Sequence, residues 1–204
     1  MPPELLKKGL AAWADRARQI GDRAIANRGL PTDQDATPEQ GPGGVHLEAP
    51  DIVVQKSAMY CWAAAGSSWL DVVYGRTKTQ QELVKSYANT PSGGLDAWNA
   101  KTDRPSPSFL RLADGLGLSF KKMAGRELTA DLIADKLKTK GHLLLFYNLS
   151  AGGDAHTVVV YGINYPGGKG LLGLDVMNPD GGKLSVRPLE EFQSRNLLIL
   201  AWPK

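Results

Sequence analysis

Hydrophobic residues return at steps of three and four over residues 4–28, a spacing that predicts one amphipathic helix ending near Gly29. The apolar stripe of this helix consists of Leu6, Leu10, Trp13, Ala17, Ile20 and Ala24. Such an apolar stripe has to pack against another surface. This surface belongs either to the rest of this protein or to a chaperone, a secretion machine or another partner. The pattern alone leaves both alternatives open.

A polar stretch follows at 29–51, rich in Pro and Gly, with five acidic residues and no Lys or Arg. It offers little apolar surface to bury, so we expect a linker. The compact domain should then begin near Ile52. The predicted organisation is an N-terminal helix at 1–28, a linker at 29–51 and one domain at 52–204.

The first half of that domain is predicted to be mainly helical. Residues 61–74 are apolar on most sides, which is typical of a buried central helix, and Gly75 can end it. Thr79 and Glu82 form a capping-box pattern. The further expected elements are a helix at 80–89, a loop at 90–107, a helix at 108–115, a strand at 118–123 and a helix at 130–139 capped by Thr129.

The second half of the domain changes to short apolar runs separated by Gly and Pro, which predicts strands. These runs lie at 142–149, 156–163, 170–177, 183–187 and 196–202, with a brief helix at 189–195. Helices that come first and a strand meander that comes last are typical of an α+β fold with an antiparallel sheet.

Composition excludes several classes of function. The 204 residues are 42% hydrophobic and 22% charged, as in ordinary globular proteins. Cys61 is the one cysteine and the three histidines have no metal spacing, so we expect no disulfide, no metal and no cofactor. A net charge of +3 gives no argument for nucleic acid. No run of 18 apolar residues predicts a membrane span, and the N-terminus lacks the pattern of a Sec signal peptide.

Three residues have the chemistry of an acyl-transfer site. Cys61 begins the predicted central helix, where free N–H groups and the helix dipole favour a thiolate. Gln55 lies six residues upstream as an amide donor, and His156 begins a strand far downstream. A thiol nucleophile, an imidazole and an amide donor are the groups that such a site needs.

A third catalytic residue is less clearly marked, since Asp175, Asn178 and Asp180 all follow His156 at suitable separations. If Asn178 lies directly opposite His156 in a hairpin, the turn is centred on residue 167, within a Pro-Gly-Gly sequence. Asp175 would centre the turn before the glycines, and Pro179 ends the strand before Asp180. We therefore favour Asn178, with Asp175 as the alternative.

The segments QKSAMYCWA at 55–63 and HTVVVYG at 156–162, followed by Asn178-Pro179, resemble the catalytic blocks of papain-like cysteine proteases. The resemblance covers 52–202 and is nearest to the small bacterial branch of avirulence proteases and papain-like toxin domains. It implies a papain-like fold with the nucleophile on the central helix. It also implies that His156 takes the thiol proton to form a thiolate–imidazolium pair, Gln55 holds the oxyanion and Asn178 orients the imidazole.

Two departures distinguish the chain from the plant and animal enzymes of that family. Ser-Ala-Met-Tyr precedes Cys61 where those enzymes carry Cys-Gly-Ser/Ala, and His156 follows Cys61 by 95 residues where they have about 130–150. Both departures concern substrate preference more than the catalytic pair.

The resulting hypothesis is a thiol endopeptidase that a bacterium secretes by a dedicated system as an effector or toxin. Its partners would be a protein substrate in a target cell and an immunity protein or secretion chaperone. A cytoplasmic protease is the alternative location. A glutamine deamidase, transglutaminase or amidase could use the same Cys–His site, and a binding module would leave Cys61 inert. The Gly43-Gly44 pair is a candidate site of self-processing.

Overall fold

The computed structural model describes residues 44–147, 155–165 and 172–204. All of them belong to one compact unit, Gln40–Lys204. The predicted helix at 1–28 and the linker up to Gly43 lie outside the described residues, as do the ends of two predicted strands at 148–149 and 170–171.

The helices begin and end close to where the sequence predicts. Thr79 and Glu82 form the expected reciprocal capping box, and Thr129 accepts the N–H of Leu132. Gly75 ends the central helix in the left-handed region, at φ 60°. The α-helices of the described residues are α1 (Cys61–Tyr74), α2 (Gln80–Tyr87), α3 (Pro107–Gly115), α4 (Ala130–Lys140) and α5 (Leu189–Gln193).

One antiparallel sheet forms the second half of the domain. Its strands follow the order β4-β9-β5-β6-β7-β8, and β1 also pairs with β6. The expected α+β class is confirmed, with helices first and an antiparallel sheet after them. The strands are β1 (Val45–His46), β2 (Trp98–Asn99), β3 (Arg104–Pro105), β4 (Leu118–Met123), β5 (Leu143–Tyr147), β6 (His156–Asn164), β7 (Gly173–Asn178), β8 (Lys183–Pro188) and β9 (Leu198–Pro203). The pair β2–β3 is a small hairpin inside the predicted loop.

The apolar side chains of the sheet divide between two core clusters. Helices α1, α2 and α3 contribute to one cluster and α4 and α5 to the other. Trp69 is fully buried in the first, and its indole N–H donates to the carbonyl oxygen of His142 at 2.8 Å. Trp62 likewise donates to the Gly93 carbonyl at 3.2 Å. Both tryptophans therefore anchor α1 by packing and by one satisfied polar atom each.

Strand β1 lies inside the segment that the sequence assigns to the linker. Val45 pairs with Ile163, and His46 pairs with Gly162 of β6. The His46 Nδ1 atom lies 2.6 Å from a carboxylate oxygen of Asp175 on β7. Two paired residues in a Gly- and Pro-rich stretch are too short to produce a strand pattern. The folded domain thus extends at least to Gly44, upstream of the expected start at Ile52.

Gly162 is the residue that lets His46 and Asp175 meet across β6. A Cβ atom at this position would run into the carboxylate of Asp175 and lie 3.0 Å from the His46 Nδ1 atom. The two side chains occupy the space that any larger residue would fill. Their contact links β1 to β7 across the intervening strand β6.

We expect Gly162→Ala to lower the free energy of unfolding by about 1–3 kcal/mol, because the inserted methyl group overpacks a buried polar contact. Gly66→Ala is the matched control, since its Cβ would find ordinary contacts of 3.5 Å with Leu83 and 3.7 Å with Leu116. That change should be neutral or stabilise helix α1 by up to roughly 1 kcal/mol. Urea unfolding of both variants measures the difference, and equal stabilities would contradict the assignment.

Candidate active site

Cys61 is the first residue of helix α1 and directly follows a 3-10 turn at Ala58–Tyr60. The residue is 4% exposed, and its thiol donates to the carbonyl oxygen of Ala155 at 3.5 Å. Ala155 immediately precedes His156, the first residue of β6. The start of the central helix is thus held against the start of the strand that carries the histidine.

His156 and Asn178 are joined by a hydrogen bond of 2.7 Å between His156 Nε2 and Asn178 Oδ1. An amide oxygen only accepts, so Nε2 carries the proton and Nδ1 is the ring nitrogen with the free lone pair. The backbone N–H of Asp180 also donates to Asn178 Oδ1, at 3.1 Å. The amide of Asn178 therefore fixes the tautomer of the imidazole.

Asn178 does not lie directly opposite His156, as the hairpin argument assumed, although the two side chains meet. Val159 pairs with Met177, so Asn178 continues the register opposite Val158 and reaches His156 diagonally. Between Val160 and Gly162 a bulge adds one unpaired residue to β6, so the register of β6 on β7 shifts by one residue beyond it.

Asp175, the alternative third residue, lies away from His156. It pairs with Gly162 beyond the bulge, and its buried carboxylate binds His46 and Asn164. Asp180 is exposed, lines the same cavity as His156, and offers its backbone N–H to Asn178.

Gln55 is tied to the strand that ends at Asn178. Its backbone N–H donates to the carbonyl oxygen of Pro179 at 3.0 Å. The side-chain amide makes no hydrogen bond to the described part of the chain, and its buried Oε1 atom has no partner there. The Nε2 end of this amide is therefore the one available to a bound substrate.

A cavity of about 590 Å³ brings the four sequence-predicted residues together. This volume is in the usual range for ligand sites. The lining residues that carry the argument are Gln55, Cys61, His156, Asn178, Arg187 and Arg195.

The protonation of the pair follows from its burial. Burial raises the pKa of the Cys61 thiol, while hydrogen bonds involving the backbone of Thr157 and Trp62 lower it. Burial lowers the pKa of His156, which the Asn178 hydrogen bond opposes and the charge of Arg187 reinforces. Both directions favour the neutral forms of the thiol and the imidazole, and thus oppose the thiolate–imidazolium pair that the resemblance implies.

Tyr147 packs on the imidazole and is supported by Arg187 and Glu191, and none of the three has a marked signal in the sequence. The Tyr147 ring packs edge-on against His156 with 5.4 Å between ring centroids. Arg187 donates from Nη1 to the Tyr147 hydroxyl at 2.7 Å and from Nε to Glu191 at 2.9 Å. Burial raises the pKa of Tyr147, so its hydroxyl stays protonated. The three residues brace one side of the His156 ring.

Gln80, the first residue of α2, supports Gln55 in a similar way. Its buried side-chain amide donates to the Val54 carbonyl at 2.7 Å and accepts the Lys56 N–H at 3.0 Å. These are the two neighbours of Gln55 in the chain. From the sequence, a polar residue at the start of a helix is expected to be exposed to solvent. Only the tertiary contacts reveal the role of Gln80.

In the described ranges, no group of three or more His, Cys, Asp and Glu side chains could hold a metal ion. No helix in the same ranges is long and apolar enough to cross a membrane.

Solved structures with similar folds include UfSP from C. elegans, with a TM-score of 0.56 and 12% identity, covering 85% of this chain and 36% of that one. The peptidase domain of Streptococcus ComA, a bifunctional ABC transporter involved in quorum sensing, has a TM-score of 0.48 and 18% identity over 76% of this chain and 100% of that one. Digestive procathepsin L 3 of Tenebrio molitor has a TM-score of 0.42 and 14% identity over 85% and 73%. The search of curated proteins found no significant match.

The sequence profile of one family, described as the papain-like cysteine protease AvrRpt2, matches residues 46–197. This match spans more than half of the 204-residue chain and includes Gln55, Cys61, His156 and Asn178. The papain-like fold implied by the resemblance is confirmed. The chain therefore belongs to the AvrRpt2 family of papain-like cysteine proteases.

Proposed function

We propose that the protein is an endopeptidase in which Cys61 is the nucleophile, His156 the general base and acid, and Asn178 the residue that orients the imidazole. The observation that carries the proposal is the 2.7 Å bond from His156 Nε2 to Asn178 Oδ1, in the wall of the cavity that Cys61 also lines. That bond leaves Nδ1 as the nitrogen able to accept the thiol proton.

The reaction begins from the neutral pair. As the Cys61 sulfur attacks the carbonyl carbon of the scissile peptide bond, its proton moves to His156 Nδ1 and an oxyanion forms. The imidazolium then protonates the leaving amine while the C–N bond breaks, which leaves an acyl group on the sulfur. Water, with its proton taken by His156, attacks this thioester and releases the second product with a free thiol.

The oxyanion would be held by the backbone N–H of Cys61, at the positive end of helix α1, and by the Gln55 amide. Gln55 suits this role because its own backbone is fixed to Pro179 and its neighbours are fixed by Gln80. A rigid donor needs no reorganisation as the charge develops, and this is the basis of oxyanion stabilisation.

We also propose that the protease acts as a bacterial effector or toxin on a protein substrate in a target cell. The support is the match to the AvrRpt2 family. An immunity protein in the producing cell or a secretion chaperone would be its expected partners.

Cleavage of protein substrates should require both Cys61 and the imidazole–amide bond. Cys61→Ala should abolish activity, and Asn178→Ala should lower kcat roughly 100-fold because the imidazole loses its orientation. Asn99→Ala, whose side chain lies on the separate β2–β3 hairpin, is the matched control and should retain activity. Mass spectrometry of a mixed protein substrate gives the readout.

Mass gains of about 1 Da without fragments would show a deamidase instead of a protease. Toxicity to target cells that persists in Cys61→Ala would contradict the effector proposal.

Gln55→Ala should lower kcat by about 10²–10³ with little change in KM, because an oxyanion donor acts in the transition state. Gln80→Leu should reproduce part of this loss, and the double variant should be no slower than Gln55→Ala alone, since Gln80 acts through Gln55. Gln81→Leu is the matched control, because this neighbouring glutamine is exposed and accepts a hydrogen bond from the Lys56 ammonium group. Additive losses in the double variant would contradict the positioning role.

The dependence of kcat/KM on pH should be a broad bell. Activity requires the state in which Cys61 and His156 share one proton, wherever that proton sits. A lowered pKa of His156 places the acid limb below the ordinary value of 6.5, and a raised pKa of Cys61 places the alkaline limb above 9.0. The charge of Asp180 raises the pKa of His156, so Asp180→Asn should move the acid limb to lower pH. An acid limb that stays in place or moves upward in this variant would contradict the assignment.

A further inference from the structure

Two arginines form part of the cavity wall beside His156. Arg187 and Arg195 both line the cavity, and both form ion pairs with one carboxylate, Glu191. Glu191 itself is not among the residues that line the cavity. Two guanidinium groups therefore share one carboxylate that is not part of the lining, while Asp96 and Asp180 place two carboxylates elsewhere in the same lining.

Arg187 is already committed to protein partners. Its Nη1 atom donates to the Tyr147 hydroxyl at 2.7 Å, and its Nε and Nη2 atoms both donate to Glu191. The fork of this guanidinium is thus occupied by the contacts that brace Tyr147. It contributes charge to the cavity and has little donor capacity left for a ligand.

Arg195 is different, since its donors are mostly unused. Its one ion pair, between Nη2 and Glu191, spans 3.5 Å. Its Nε atom is buried and has no hydrogen-bond partner in the described part of the chain. Because Nε is buried, a substrate would meet the terminal nitrogens of the guanidinium, and Nη1 among them makes no hydrogen bond to the described part of the chain.

The backbone under Arg195 is fixed. Gly125 donates its N–H to the Arg195 carbonyl at 2.9 Å and packs so closely on that turn that a Cβ atom would collide with the Arg195 and Gln193 carbonyl oxygens. The Gln193 side chain donates to the Leu128 carbonyl at 2.9 Å. A guanidinium carried by a fixed turn is a preorganised donor.

The distance from the reaction centre limits what Arg195 can reach. Its guanidinium carbon lies 5.9 Å from the Tyr147 ring centroid, which lies 5.4 Å from that of His156. The guanidinium is therefore within about 11 Å of the imidazole. An extended peptide advances about 3.3 Å per residue, so a substrate side chain within roughly three residues of the scissile bond can meet it.

We propose that Arg195 makes this protease selective for protein substrates with an Asp or Glu within three residues of the scissile bond. The inference rests on the proposed endopeptidase function. A carboxylate would accept charge-assisted hydrogen bonds from the terminal nitrogens of Arg195. Asp96 and Asp180 also line the cavity and are exposed, so a carboxylate is disfavoured next to them.

Matched fluorogenic peptides test this selectivity. Each carries Glu, Gln or Lys at one of the three positions on either side of the cleaved bond, in a sequence the wild type cuts. At one position the wild type should prefer Glu over Gln by roughly 10- to 100-fold in kcat/KM, the range for one charge-assisted bond. Arg195→Gln should bring this ratio close to one, and Arg195→Lys should keep part of it. Arg76→Gln, at the opposite end of α1, is the control and should keep the wild-type ratio.

Cleavage by the wild type with no preference for Glu at any position overturns the inference and leaves the proposed function intact. A preference that persists unchanged in Arg195→Gln also overturns it. Complete absence of cleavage by the wild type overturns both. If Arg195→Gln does not fold, the Arg195→Lys variant decides, because an unchanged Glu to Gln ratio there contradicts a bond that depends on the planar guanidinium.

Discussion

The close packing of helix α1 on strand β6 is the interaction on which the site depends. Ala63, Ala64 and Ala65 are fully buried, and such small side chains let the helix backbone approach the sheet closely. Trp69 anchors the middle of the helix through the His142 carbonyl. Because both elements start at the same end of the domain, Cys61 and His156 begin them side by side, and a shift of either element would separate thiol from imidazole.

Hydrophobic packing sets this approach, but hydrogen bonds orient the polar groups. Asn178 holds the imidazole from one side, while Tyr147 with Arg187 braces it from another. Gln80 fixes the chain on both sides of Gln55. These groups are partly or fully buried, so the loss of one partner leaves another polar atom without water or protein to bind. The site therefore depends on a connected set of contacts that extends well beyond the four residues at its centre.

The elements with a strong local signal could be predicted from the sequence. Helix α1 ends at the glycine that permits a left-handed residue, and the Thr79–Glu82 box begins α2. Chemistry, spacing and family resemblance together indicated four candidate site residues, and these four line one cavity.

The parts that the sequence did not reveal depend on distant contacts. The bulge at Tyr161 changes the register of β6 and β7 without any change in their apolar pattern, so Asn178 was expected directly opposite His156. Strand β1 exists only because β6 offers it a free edge beyond the end of β5. Tyr147 reads as an ordinary residue of an apolar strand, and nothing in its neighbours along the chain indicates Arg187.

The pairing of β1 with β6 also holds the chain just before β1 at a distance from the catalytic pair. Val45 joins β6 at Ile163, seven residues from His156, which is about 23 Å along the strand. An extended chain needs about seven residues to span that distance. While β1 is paired, Gly44 is held out of reach of the Cys61 that follows it in the same molecule. Cleavage there requires either a second molecule or a moment before β1 joins the sheet.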